Sequence, residues 1–373
     1  MEKRINRLIK KTLSQFKTER GNFLMKRNRI FSSLLVVVLA IALMGCGTTP
    51  AAKPADKPAD KTETSDAAKK PSVTMKLSTT SSKGGAHYEG AIKFKELVEK
   101  NSNGDMEVQV FPDGQLAKDL AAIDAHKTGA IEMSLPSTVM AQIDPKFGVF
   151  DIPFLFKDSA AVKKFAHGPM WEEDFQPLFD KYGMVGLGFW ENGFRQITNN
   201  VRPINVPEDL KGIKMRVPES KLRVAMFKEF GANPSTADFS EVFTALQQGV
   251  FDGQENPLTQ IEAGRFYEVQ KYLSITNHTY TPAYLVASKV WFDKLTTEQQ
   301  EIIKKAAVEA GDYSREYGSK IGDELIAKFK KAGMIVNTAD GEAFQAKTKP
   351  VIDLLKKSID PAFVDKVVKA AKG

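Results

Sequence analysis

Arg216 is the residue of this chain best placed to hold a small anion. In Lys211-Gly-Ile-Lys-Met-Arg-Val-Pro218, Ile213, Met215 and Val217 alternate with Lys214 and Arg216, the period of a half-buried strand. Pro218 ends that strand, because it has no N–H to give to a ladder. A helical stretch begins near Lys221. Arg216 therefore stands at the carboxyl end of a strand, the edge at which open α/β sheets bind ligands. Its guanidinium offers a planar fork of donors that fits a carboxylate bidentately. A solvated arginine on a strand face has the same local pattern, so the residue needs support from elsewhere.

Other chemistries find little footing. The four histidines, His87, His126, His167 and His278, have no metal-ligand spacing. No nucleophile elbow, P-loop or dinucleotide fingerprint occurs, and Ser, Asp and His lack the spacing that argues for a triad. Cys46 is the only cysteine, which leaves no disulfide framework and no thiol pair. The pattern favours a binding protein over an enzyme and calls for no cofactor or metal.

The elements that would position Arg216 repeat. Val73, Met75 and Leu77 alternate as a first strand, a helix runs from Gly84-Gly85 to about Asn101, and Met106, Val108 and Val110 form a second strand. A helix to Thr128 and a strand through Ile131, Met133 and Leu135 complete a strand–helix–strand–helix–strand order, the signal of a parallel α/β sheet. The order returns from Ile213: strand, helix from Lys221 to Phe230, short strand after Gly231-Ala-Asn-Pro234, helix from Phe239 to Gln248, strand from Gly249. Crossing strands are expected near Glu191–Thr198 and Pro282–Ala287. A proline-free stretch from Thr297 to about Lys331 reads as one long bracing helix or as two shorter ones broken near Gly311 or Gly318. The expected fold class is α/β, with two lobes, a cleft between them and this brace. Lobe 1 is assigned 73–192 with 282–321, and lobe 2 is assigned 193–281 with 322–373. Such a pair of lobes suggests closure around a ligand.

The net charge of +7 is a property of the leader. Residues 1–46 hold ten Lys and Arg against two Glu, leaving 43 basic and 44 acidic residues after Cys46. The basicity therefore gives no ground for a nucleic-acid partner. Lys26-Arg27-Asn28-Arg29 followed by the apolar run Ile30 to Met44 reads as an export signal, the run being short for a membrane span. Leu43-Met44-Gly45-Cys46 resembles a bacterial lipobox, which implies that Cys46 becomes the acylated first residue. Residues 1–24 are then an extension or a misplaced start, 25–45 the signal, and 46–72 the lipidated cysteine with a tether too poor in apolar side chains to order itself.

Several stretches together carry a stronger resemblance. Phe111-Pro-Asp-Gly-Gln-Leu116, Phe150-Asp-Ile-Pro-Phe-Leu-Phe156, Glu191-Asn-Gly-Phe-Arg-Gln-Ile-Thr198, Asp209 to Pro218, Phe239 to Gly249, Asp252-Gly-Gln-Glu-Asn-Pro-Leu258 and Phe266 to Leu273 resemble the DctP family, the extracytoplasmic solute receptors of TRAP transporters. The resemblance spans residues 73 to about 360. It implies a receptor that closes over an organic acid and delivers it to a small and a large membrane subunit. It also implies site residues: Arg216 on the ligand carboxylate, Arg195 as a second arginine, Asn256 as an amide beside them, Phe239 and Trp190 as aromatic walls. Thr80 and Ser137 fall where the strand ends of the first lobe meet the ligand. Sialic-acid receptors of the family are similar around Gly253-Gln-Glu-Asn-Pro257, but place an asparagine and an acid where Thr80 and Ser137 align. That departure favours a smaller di-acid, a C4-dicarboxylate, whose two charges would neutralise two arginines in the cleft. A sialic-acid or other carboxylate receptor, or a ligand sensor for a membrane kinase, are the alternatives.

Overall fold

The computed structural model describes residues 70–372. The expected extension, export signal, Cys46 and nearly all of the tether lie outside the described residues. No helix among those described is long and apolar enough to cross a membrane.

Two sheets follow one plan. In the first, β1 (Val73–Ser78), α1 (Ala86–Asn101), β2 (Met106–Phe111), α2 (Asp119–His126) and β3 (Met133–Ser134) succeed one another, and β1 pairs in parallel with both β2 and β3. The third strand is shorter than its alternation suggests, and the Leu135 N–H still reaches the Ser78 carbonyl at 3.1 Å. After α3 (Ser159–Ala166) comes β4 (Met184–Asn199), 16 residues long. In the second sheet β5 (Lys214–Val217), α4 (Lys221–Glu229), β6 (Asn233–Thr236), α5 (Val242–Gln247) and β7 (Gly253–Pro257) repeat the order. Here β5 pairs in parallel with both β6 and β7. After α6 (Leu258–Ala263) and β8 (Tyr272–Ile275), β9 (Tyr280–Ser288) returns to the first sheet beside β3.

β4 joins the sheets. Residues Met184–Phe194 pair with β9, and Arg195–Asn199 pair with β7. Register shifts fall between Gly186 and Gly188 and between Glu191 and Gly193, and such bulges bend and twist a strand. Gly193 takes φ +125°, and a Cβ there would lie 3.1 Å from Pro257, so the changeover requires glycine.

The long helical stretch divides in two. α7 (Thr297–Lys320) begins with a capping box from Thr296 and Gln299, and α8 (Gly322–Lys331) follows a break at Ile321, beyond the two glycines at which a break was expected. The apolar faces explain this. α7 buries Ile303, Ala306, Ala307 and Ala310 against the first sheet, whereas α8 buries Leu325 and Phe329 among Ile261, Phe266 and Leu273. One straight helix cannot face both cores. Gly311 sits inside α7 without breaking it because the Trp190 ring fills the space where its Cβ would be, at 2.8 Å.

β10 (Ile335–Thr338) pairs in parallel with β8. Toward the end, α9 (Lys349–Ser358) packs on α4. α10 (Pro361–Lys372) packs on α3, with Phe363 against Phe175 and Lys366 paired to Asp174. The last helix therefore rests on segments that precede β4.

Candidate functional site

The cleft lies at the carboxyl ends of the strands of both sheets. The space inside it, its open mouth included, is about 500 Å³. Thr80, Ser137, Arg195, Arg216, Phe239 and Asn256 all line it. Strand order brings three of them together: β4, β7 and β5 are consecutive neighbours, with Arg195 opposite Pro257 and Arg216 opposite Gln254.

The two arginines have different surroundings. Arg195 is 1% exposed and ion-paired to Glu255. One of its terminal nitrogens also donates to the Glu255 carbonyl at 2.6 Å and to Asn256 Oδ1 at 3.0 Å. Glu255 takes a second guanidinium, Arg223 Nη1 at 3.1 Å, and the His278 ring at 3.1 Å. Arg223 reaches Asp151 at 2.6 Å with its other terminal nitrogen, and Asp151 accepts from Ser220, the N-cap of α4. Burial alone would raise the Glu255 carboxyl, but Arg195 and Arg223 overcome it and hold it well below the carboxylate range. Burial opposes the charge of Arg223 too, and Glu255 and Asp151 outweigh it. This is a satisfied ionic chain, the condition under which buried charges persist.

Arg216 is 3% exposed. Its Nε and one terminal nitrogen donate to the Ala237 carbonyl, and among the described residues no carboxylate lies within ion-pair distance. Burial, then the positive Arg195, pulls its pKa down to about 10, which leaves it charged at neutral pH. An unpaired guanidinium facing a cavity is the arrangement that an incoming carboxylate neutralises. The expectation of two arginines awaiting ligand charge is thus corrected in part: Glu255 meets the charge of Arg195, while Arg195 Nη1 has no hydrogen-bond partner among the described residues and the residue still lines the cleft with Arg216.

The remaining residues divide in the same way. Asn256 is held from both sides, accepting from Arg195 and donating to Gln254 Oε1 at 2.6 Å. Ser137 donates to the Pro282 carbonyl at 2.7 Å and accepts from Asn192 Nδ2 at 2.9 Å, so it orients Asn192. Thr80 donates to Asp119 Oδ1 at 3.2 Å. Phe239, half-buried, lies against Phe266 with ring centroids 5.6 Å apart and forms one wall. Trp190 is not a wall. It is fully buried between α1 and α7, its Nε1–H bonded to the Ala307 carbonyl at 2.8 Å, in a slot that Gly90, Gly188 and Gly311 leave open. Those glycines, spread over 221 positions of sequence, could not be read as one pocket beforehand.

Sequence reasoning missed His87, Asp119, Asn192, Gln260 and the Glu255–Arg223–Asp151 chain. Two of these carry a signal. Arg223 shares the buried stripe of α4 with Leu222, Met226 and Phe227, and His87 shares that of α1 with Gly90, Ala91 and Phe94. A charged or titratable residue on an apolar stripe is the informative exception. Asp119 is part-buried, and desolvation, then the nearby Asp238, pushes its carboxyl up to about 7. Among the described residues no group of His, Cys, Asp and Glu could hold a metal.

The two sheets, the connecting strand and a cleft with one unpaired guanidinium define a two-lobed solute-binding protein of the periplasmic type. Residues 77–358 match the model of bacterial extracellular solute-binding protein family 7, the DctP family, and the chain belongs to that family. It is 36% identical over 256 residues to the 2,3-diketo-L-gulonate-binding periplasmic protein of Escherichia coli, covering 68% of this chain and 78% of the relative. It is 37% identical over 248 residues to the C4-dicarboxylate-binding periplasmic protein of Rhodobacter capsulatus, covering 65% and 73%. The sugar-acid-binding protein of Advenella mimigardefordensis, solved in complex with galactonate, superposes with a TM-score of 0.77 at 34% identity, covering 81% of this chain and 98% of that one. The chain is an extracytoplasmic solute receptor and not an enzyme.

Proposed function

We propose that this receptor binds a small organic acid, anchors its carboxylate on Arg216, closes its lobes over it and delivers it to the small and large membrane subunits of a TRAP-type transporter. The observation that carries the reading is the buried Arg216 guanidinium without a carboxylate partner in a cleft between two sheets. Contacts across the mouth support closure. Ser81 donates to Gln260 Oε1 at 3.1 Å, Gln142 to the Glu219 carbonyl at 3.0 Å, and Lys118 pairs with Glu241. Each joins the part of the chain before β4 to the part after it. The receptor is held to the outer face of the cytoplasmic membrane through acylated Cys46, with the segment to residue 72 as its tether.

A thermal-shift screen of small carboxylic acids tests the binding. A ligand at a hundred times its dissociation constant adds about 2.7 kcal/mol. A protein that no acid stabilises is not this receptor. The anchor has its own test: Cys46→Ser should leave the membrane fraction, and retention of that variant refutes acylation at Cys46.

A further inference from the structure

Four of the eight buried side-chain polar atoms that make no well-formed hydrogen bond among the described residues belong to three residues of the cleft, with His87 and Asn192 near enough to act on each other. They are both ring nitrogens of His87, Asn192 Oδ1 and Gln260 Nε2, and all three residues are at least nine-tenths buried. Between them these groups offer donors and acceptors. Gln260 Nε2 donates and Asn192 Oδ1 accepts. The His87 ring, whose pKa burial and then Arg195 push down to about 4, is neutral and does one of each. A carboxylate only accepts, so it cannot satisfy this set. A hydroxyl donates and accepts, and can.

Charge leads to the same conclusion. The buried ionic groups of the site are three guanidiniums, Arg195, Arg216 and Arg223, against two carboxylates, Glu255 and Asp151, which leaves one positive charge. The rest of the lining adds Asp119, Glu219 and Asp238, none of which makes an ion pair among the described residues. Glu219 and Asp238 lie close enough to Arg216 to act on its charge, and among the described residues the cleft holds no second arginine free of an ion pair to receive a second ligand carboxylate.

We infer that the ligand is a polyhydroxy monocarboxylate, with its one carboxylate on Arg216 and its hydroxyls on His87, Asn192 and Gln260. This rests on the receptor reading above and narrows it, against the C4-dicarboxylate that two free arginines would have favoured. His87 is then a specificity residue: it touches the hydroxylated end of the ligand and leaves the carboxylate to Arg216.

Calorimetry with four-carbon acids of equal length tests the inference, using erythronate, succinate and γ-aminobutyrate, with weak binders read by displacement. Erythronate should bind at least tenfold tighter than either of the others. His87→Ala should lower the erythronate-to-succinate preference at least tenfold, and His87→Gln, which keeps hydrogen-bonding capacity, should restore part of it. A receptor that binds succinate or γ-aminobutyrate more tightly than erythronate overturns the inference and leaves the receptor reading standing. Equal weakening of erythronate and succinate by His87→Ala also overturns it. If none of the three acids binds, the inference is overturned, and the wider thermal-shift screen decides the receptor reading. The comparison of the three acids on the parent protein decides the matter even if the His87 variants do not fold.

Discussion

Arg195 and Arg216 lie on strands separated only by β7, and both are almost wholly buried, at 1% and 3% exposure. One has its charge met by a carboxylate of the protein and the other does not. Arg195 gives its fork to Glu255 and Asn256, and through Glu255 it is tied to Arg223 and Asp151. Arg216 holds only a backbone carbonyl. Residue type and burial therefore do not identify a ligand anchor. What identifies it is the absence of a carboxylate in ion-pair contact, since a buried cation without one is destabilising until a ligand supplies it.

The sharpest way to break this comparison is to remove the counter-charge of Arg195. Glu255→Gln leaves Arg195 and Arg223 facing each other in the interior, and breaking a buried pair of this kind costs about 3–5 kcal/mol. Urea unfolding of the ligand-free protein should show that loss. A parent-like midpoint would mean that the ionic chain is not what makes Arg195 tolerable.

The next effect falls on binding. Arg216→Lys keeps the charge and loses the fork. With a loss of about 2–5 kcal/mol for one partner of a buried charge pair, affinity for the carboxylate ligand should drop roughly a hundredfold, with little change in ligand-free stability. Arg195→Lys should lower both, because that fork is used inside the fold. Calorimetry paired with unfolding separates the two cases, and identical behaviour of the two variants would erase the distinction.

Trp190→Phe is the control for burial without ligand contact. It removes the bond to the Ala307 carbonyl, an interior loss of about 1–3 kcal/mol, and should leave ligand affinity unchanged. A change in affinity would return Trp190 to the cleft.

The last test concerns pH dependence. In the fold the Asp119 carboxyl titrates near 7, against about 3.9 in an unfolded chain. The folded state thus holds a proton that the unfolded state has released. Stability from this group is complete below the unfolded value and is lost as pH rises from about 4 through 7. Asp119→Asn should flatten that decline, leaving the part due to Glu191, whose carboxyl burial also raises to about 7. Unfolding at several pH values reads the slope, and equal slopes in parent and variant would show that Asp119 is ionised in the fold.

By itself the sequence determined what local pattern can carry. Alternation and turn residues placed β1, β2, β5 and β9, and apolar periodicity placed α1 and α4. The repeated order of strands and helices implied two sheets on one plan. Arg216 was legible because its strand, its terminating proline and its donor geometry all lie within a few residues. The family motifs put Arg195, Asn256, Phe239, Thr80 and Ser137 at the same cleft, where the structure also has them. What only the tertiary structure decided was which groups were already satisfied. Glu255 reaches Arg195 across 60 positions and Arg223 across 32, and Trp190 finds its hydrogen bond 117 positions away. Whether a buried charge or ring is spoken for depends on atoms a few ångströms away in space and far apart in sequence, and no local pattern encodes that distance.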